Sequence, residues 1–243
     1  MSMSDTIPVQ ASQAHCRAYA AVAPEYYDEL RHPTCAALRR GSVLVLSQLI
    51  EEVAPKHWAA ALEVGTGRTI LPEVGVVAEE TLLSDINAEM LVHSRPLGLE
   101  SARFLVASAD HLPVESGSID LMVASLADPY NTSYFWHEAA RVLRPGGHLA
   151  WSAPSHEWAS TFRSSCPGGQ EAVFETLNGE VHVPSYVLPI SDQERLIRDS
   201  GLQCVTWIRA ALGEVSGARA VPKLAGVLSD FDPIVAAVLV VKP

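Results

Sequence analysis

The chain has 243 residues, 48 % of them hydrophobic and 19 % charged, a balance that belongs to a folded globular protein and not to a disordered one. That length suits one large domain with a substantial core. The 28 acidic residues against 17 basic ones leave a net charge of -11, which weighs against a protein that coats a nucleic-acid backbone, because phosphate binding rewards clustered Lys and Arg.

Residues 1–14 read as a loose polar tail without the apolar segment of a signal peptide. From Ala14 to Val53 the apolar spacing is helical, and Pro24 and Pro33 should break it into pieces. The period then shortens. Apolar runs at 60–64, 81–84, 103–106, 119–125 and 148–152 predict five buried strands, with helices over 88–94 and 133–143 between them. Residues 154–190 are richer in aromatics, Gly and Pro and read as an insertion closing over a site. Residues 191–201 predict a capped helix stopped by Gly201, and 203–208 and 234–241 predict two last strands. Alternating strands and helices with continuous apolar strands predict an α/β fold. The expected form is a Rossmann-like, seven-stranded, mostly parallel sheet with helices on both faces.

A single domain (1–243) is expected, with an N-terminal helical cap (1–53), a core (54–153), the insertion (154–190) and a C-terminal helix and strands (191–243). The four cysteines, Cys16, Cys35, Cys166 and Cys204, form no CxxC pair, so a zinc site or a disulfide scaffold is not expected. No apolar run reaches the ~18 residues of a membrane span. A cytoplasmic location is the expectation. Arginine outnumbers lysine 14 to 3, the composition of a GC-rich bacterial genome.

The sharpest local feature is the turn Glu63-Val64-Gly65-Thr66-Gly67-Arg68-Thr69, which leaves the first strand. Glycines there let the backbone turn tightly and approach a ligand. GxxxxGK[ST] is absent, and Ile70 occupies the third glycine position of a dinucleotide fingerprint, which puts a nicotinamide dehydrogenase last. Glu63 would repel a pyrophosphate but could pair with an ammonium group. S-adenosylmethionine (SAM) offers that group and carries no phosphate.

Three further features follow in order: Asp85 after the second strand, the block ASADHLPVESGSIDLMVAS (107–125), and ARVLRPGGHL (140–149). Together with the E-x-G-x-G-x-T turn they resemble the class I SAM-dependent methyltransferases, in the ubiquinone/menaquinone-biosynthesis-type small-molecule branch. Thr69 stands where that family usually has a third glycine. The resemblance implies SAM as cofactor and S-adenosylhomocysteine (SAH) as product. It implies that Glu63, Gly65, Thr66 and Gly67 hold the methionine part, Asp85 the ribose, and Ile86 the adenine face. Ser108, Ala109 and Asp110 would meet the adenine edge, although Ser108 departs from the acidic residue often seen there. Ser125 or Leu126 would line the methyl-donor end. A tyrosine before the core, Tyr27 or Tyr19, would close over the cofactor.

The acceptor side is less determined. Asp128-Pro129-Tyr130 partly resembles the (D/N/S)-P-P-(Y/F) motif of amino-group methyltransferases, one proline short, which makes Asp128 a candidate catalytic residue. The plainer reading is that Asp128 and Asn131 or Thr132 shape the loop and cap the next helix. His156, after the fifth strand, is a candidate base, whereas His137 reads as an ordinary helical histidine. Tyr130, Asn131, Trp136, Trp158 and Phe162 are candidate acceptor-pocket residues, each of which could instead be core packing. The histidines lack metal-ligand spacing, so no metal is expected. The expected partner is a small-molecule acceptor, not nucleic acid or membrane, with a homodimer left open. A methyltransferase of small molecules in bacterial specialised metabolism is the leading expectation. The rivals are a non-catalytic SAM-fold partner protein and a tRNA- or protein-modifying methyltransferase.

Overall fold

The computed structural model describes residues 9–53, 57–97, 99, 101–163 and 171–243. Two helices lead the chain, α1 (Val9–Val22) and α2 (Pro33–Glu51). Pro24 lies in the turn between them, and Pro33 sits in the first turn of α2, where its missing N–H costs nothing. Helix α1 begins inside the stretch expected to be a loose tail. Residues 9–14 contain neither Gly nor Pro, so nothing in the backbone stops the helix from extending back to Val9.

Strand β1 (His57–Val64) is followed by β2 (Val77–Asp85), and then by α3 (Ala88–Leu91). Asn87 caps α3 by accepting from the N–H groups of Glu89 (2.7 Å) and Met90 (3.2 Å). The helix tightens into a 3-10 form at Val92–Leu97, which contains Pro96. Strands β3 (Arg103–Val106) and β4 (Ile119–Ala124), helix α4 (Ser133–Val142) and strand β5 (Leu143–Pro154) complete the alternating part. Strand β5 starts directly where α4 ends, so Arg144-Pro145-Gly146-Gly147 is the irregular opening of a strand and not a free turn.

Helix α5 (His156–Arg163) precedes a separate hairpin of β6 (Glu171–Thr176) and β7 (Gly179–Pro184). Helix α6 (Ile190–Asp199) follows. Pro189 occupies its N-cap and makes no side-chain cap bond, so the expected capping is absent. Its carbonyl instead accepts from Asp192 and Gln193. Gly201, at φ +83°, ends this segment as expected. Strand β8 (Gln203–Ala211), the short helix α7 (Pro222–Ala225) and β9 (Pro233–Val241) close the chain.

The main sheet has seven strands in the order β3-β2-β1-β4-β5-β9-β8, parallel from β3 to β5 and antiparallel at the β9 and β8 pairings. Leu62 faces Leu82 on one side and Met122 on the other, in the fully apolar centre. One core layer joins α2, α5 and α7 to the sheet through Leu46, Leu49, Trp158 and Leu224. The other joins α4 and α6 through Phe135, Trp136 and Ile197. The sheet is thus covered on both faces. A carboxylate ties three strands together at their edge: Asp120 accepts from the Ala60 N–H at 2.7 Å and pairs with Arg144. Burial pushes its pKa up, but the guanidinium and the backbone donors outweigh that and hold it below the usual range. The hairpin packs Phe174 and Val183 on Val22, beside Tyr19, Tyr26 and Cys35. Among the described residues no helix is long and apolar enough to cross a membrane.

Candidate cofactor and acceptor site

A cavity of about 570 Å³ opens at the carboxyl ends of β1, β2 and β4. This is where the strand order reverses from leftward to rightward growth, the usual crevice for a ligand in an open α/β sheet. The glycine loop forms its floor. Gly65 (φ +64°) and Gly67 (φ +47°) both hold left-handed backbone. A Cβ on Gly65 would stand 2.5 Å from the Tyr130 hydroxyl, and one on Gly67 would collide with the Tyr27 hydroxyl. Both positions therefore need glycine for backbone and for space.

Side chains brace the loop from beneath. Glu63 is buried, and its two carboxylate oxygens accept from the Thr69 hydroxyl and from the Ile70 N–H (3.2 Å). Burial raises its pKa to about 7 even against those bonds. Asp85 accepts from the N–H of Gly67 (3.0 Å) and of Asn87 (2.9 Å), and burial raises its pKa to about 6. Thr66 donates its hydroxyl to the Glu63 carbonyl at 3.0 Å. Ser94 accepts from Thr69 N–H and donates to the Gly67 carbonyl, at 2.8 and 2.6 Å. No sequence signal marked Ser94, because its 25-residue separation from the loop closes only through α3.

Ile86, Ser108, Ala109 and Asp110 line the same cavity beyond Asp85. At the β4 end, Ser125 and Leu126 line it too. Leu126 is the one described non-glycine residue with positive φ (+49°), a strained conformation. A chain of hydroxyls holds it: Ser42 on α2 meets Ser125 at 2.7 Å and Ser152 at 2.6 Å, and Ser152 accepts from the Leu126 N–H at 3.0 Å. The roof comes from the α1–α2 turn. Tyr27 accepts from the Arg68 N–H at 2.6 Å, and Tyr19, Tyr26, His32 and Cys35 line the adjoining wall with Pro184 and Tyr186. Burial raises the pKa of Tyr27 and of Cys35 to about 12, so both stay protonated.

Several acceptor candidates lie elsewhere. Asp128 and Asn131 are buried behind the wall formed by Pro129, Tyr130 and Thr132. The Asp128 carboxylate accepts from Ser185, and its carbonyl accepts from Tyr186 N–H at 2.8 Å. Asn131 donates to the Tyr186 carbonyl and to Gln193, and accepts from the Trp136 indole at 2.9 Å. Trp136 is fully buried between Phe135 and Trp151. These three residues bind the β4 loop to the chain after the hairpin, a tertiary role that the local pattern could not reveal. Thr132 is the N-cap of α4 but makes no side-chain cap bond.

His156 lines a different, smaller cavity of about 160 Å³ with Glu157, Gln193 and Arg209. Ser155 turns the chain there by donating its N–H to Ile234 and its hydroxyl to the Pro233 carbonyl, which draws residue 156 toward β9 and away from β1. Trp158 packs in the core and donates to the Lys223 carbonyl at 2.8 Å. The side chain of Phe162, and Cys166, lie outside the described residues. His137 is exposed and bonds its own helix at Ser133.

The residues around the cavity fit SAM. Two left-handed glycines open the loop backbone to a ligand, and the carboxylates of Glu63 and Asp85 line the cavity beside it. Residues 62–151 match a methyltransferase domain family model. Over that stretch the chain is similar to this methyltransferase domain family. SAM is the cofactor of that domain. A curated relative, a malonyl-[acyl-carrier protein] O-methyltransferase of Marinomonas sp. (strain MWYL1), is 28% identical over 153 residues, 59% of this chain and 53% of that protein. The match thus spans about half the length of that relative. Among solved structures, a complex of DhpI with SAM and HEP superposes with a TM-score of 0.66 at 14% identity, covering 97% of this chain and 99% of that one. The [4+2]-cyclase SpnF superposes at 0.63 with 18% identity, covering 98% and 99%. At these identities the neighbours establish the methyltransferase fold and not an acceptor.

Proposed function

We propose that this protein transfers the methyl group of SAM to a small organic acceptor and releases SAH, a reaction of the kind used in bacterial specialised metabolism. The observation that carries this reading is one continuous cavity, which runs from the glycine loop and Asp85 to a wall of tyrosines. The cofactor supplies an electrophilic methyl group on a sulfonium, so the protein's main task is to hold donor and acceptor in line. In this reading Gly65, Thr66 and Gly67 cradle the methionine part, and Glu63 supplies negative charge at its ammonium. Asp85 accepts from the ribose hydroxyls, Ile86 covers the adenine, and Ser108, Ala109 and Asp110 meet its edge. Ser125 and the strained Leu126 backbone face the methyl-donor end. Tyr27 closes the roof, while Tyr130, Pro184 and Tyr186 belong to the acceptor side. We place this activity in the cytoplasm, without nucleic acid or membrane.

Calorimetric titration with SAM and SAH tests it: saturable binding of both is expected, and no detectable binding of either sinks the reading. The likeness to SpnF, a cyclase, keeps a second reading in view, in which the fold serves a different chemistry. SAM-dependent formation of SAH in the presence of an acceptor separates the two.

A further inference from the structure

All six tyrosines of the chain, Tyr19, Tyr26, Tyr27, Tyr130, Tyr134 and Tyr186, line the larger cavity. Two of them serve the glycine loop: Tyr27 accepts from the Arg68 N–H, and Tyr130 donates to the Val64 carbonyl. Tyr19, on α1, and Tyr26, in the turn after it, have no such task. Their hydroxyls make no hydrogen bond among the described residues, and neither hydroxyl is sealed off from the cavity. Their wall is free to meet a ligand.

The rings form a corner, not a slot. Tyr19 and Tyr26 are inclined at 50° with centroids 6.4 Å apart, and Tyr26 meets Tyr27 edge-on at 4.9 Å and 70°. Phe174 backs Tyr26 at 5.6 Å. A flat ligand needs parallel walls, whereas inclined rings suit a rounded cation drawn to their electron-rich faces. The electrostatic field has the matching sign. Burial, and after it the charges of Asp128 and Asp85, hold the Tyr19 phenol protonated, and no cation opposes them. Burial does the same for Tyr26, with Asp128 again adding to it. Arg39 acts on Tyr27 but on neither of these two. Arg39 and Arg40 are themselves paired with Glu73 and Glu29. An anion at this end would meet carboxylates and find no partner. A cation leaves water at a cost that the rings and the carboxylates offset.

We propose that Tyr19 and Tyr26 form the aromatic corner of a subsite for an alkylammonium group carried by the methyl acceptor. This deepens the methyltransferase reading above and rests on it. The ammonium anchors the acceptor against the tyrosine rings, at the end of the cavity away from the glycine loop. The acceptor class is therefore a small organic amine that is cationic at neutral pH.

The test uses the full chain loaded with SAH, whose sulfur is uncharged, and three probes of one shape. These are choline, its uncharged isostere neohexyl alcohol, in which carbon replaces nitrogen, and the anion of tert-butylacetic acid. In calorimetry choline should bind saturably and at least about ten-fold more tightly than neohexyl alcohol, within reach of a desolvated cation–π contact, and the anion should not bind. Tyr26→Phe keeps the ring and should keep that ratio. Tyr26→Leu removes the ring and should bring the ratio down to about one, with SAH affinity unchanged. Tyr19→Leu is the second variant, for use if Tyr26→Leu does not fold, and the same loss is expected of it. The proposal is overturned if choline does not bind, if the isostere or the anion binds as tightly, or if the leucine variants keep the ratio. It is also overturned if Tyr26→Leu weakens SAM but not SAH, because the rings then serve the sulfonium. Failure of the wild type to bind SAH would instead remove the methyltransferase reading itself.

Discussion

The Tyr130 hydroxyl donates to the Val64 carbonyl at 2.7 Å, which lays its ring across Gly65 on the floor of the cavity. Two costs therefore meet at Gly65, a left-handed backbone and a ring with no room for a Cβ. Gly65→Ala should lower stability by about 2 kcal/mol and abolish detectable SAM binding. In a Tyr130→Ala background the same change should cost less, because only the backbone penalty remains. Thermal denaturation of the four proteins checks this as a double-mutant cycle. Equal costs in both backgrounds would show that the ring is not the obstacle.

Asp85 spends its carboxylate on the N–H groups of Gly67 and Asn87 and still lines the cavity. Asp85→Asn keeps the size but loses the charge and one acceptor. SAM affinity should fall by about 1–3 kcal/mol, the range for a hydrogen bond to a charged group. Calorimetry against the wild type measures it. An unchanged affinity would remove Asp85 from the cofactor contacts.

Glu63 and Asp85 titrate upward, to about 7 and about 6, from ordinary values of 4.5 and 3.8. Between those limits the folded protein holds protons that the unfolded chain has lost. Stability must then fall as pH rises through that window, the reverse of the usual carboxylate behaviour. Melting should occur at a lower temperature at pH 8 than at pH 5 from this pair, and Glu63→Gln should flatten the difference. A cationic ligand placed beside these groups lowers both pKa values. SAM binding near pH 6 should therefore release protons, read as a dependence of calorimetric heat on the buffer's ionisation enthalpy.

Asp120 accepts from Ala60 N–H and pairs with Arg144, which links β1, β4 and β5 far from the glycine loop. Asp120→Ala should cost about 2 kcal/mol of stability, from a buried donor left unpaired and a lost ion pair. SAM affinity of the folded variant should stay as in the wild type. Because the folded pKa lies below the ordinary one, this contribution is present at neutral pH and is lost as pH falls through it. Acid melting curves of the two proteins should therefore converge.

Ser42 lies on α2, yet its hydroxyl touches both Ser125 and Ser152, and Ser152 holds the strained Leu126. Ser42→Ala should leave SAM affinity intact and lower the turnover number, because Leu126 faces the methyl-donor end in the reading above. A fall in affinity with unchanged turnover would contradict it.

Local pattern in the sequence was enough to place the seven strands of the main sheet, the helices between the parallel ones and the glycine loop, but not the β6–β7 hairpin within residues 154–190. Each rests on a short-range rule: an unbroken apolar run, a proline at a helix start, or a glycine where only left-handed backbone turns. Glu63, Gly65, Gly67 and Asp85 come together because they stand at or just past the ends of strands that a parallel sheet brings side by side. Only the tertiary structure could sort the acceptor side. Asp128 and Asn131 sit in the same short loop as Tyr130, yet contacts with Ser185, Tyr186 and Gln193 turn them inward while Tyr130 turns to the cavity. His156 follows a strand end as Asp85 does, but bonds from Ser155 to β9 carry it into another cavity. Tyr26 has no motif around it. It reaches the cavity because a turn between two helices folds back over the sheet, a placement set by long-range packing against Phe174 and not by any neighbour in sequence.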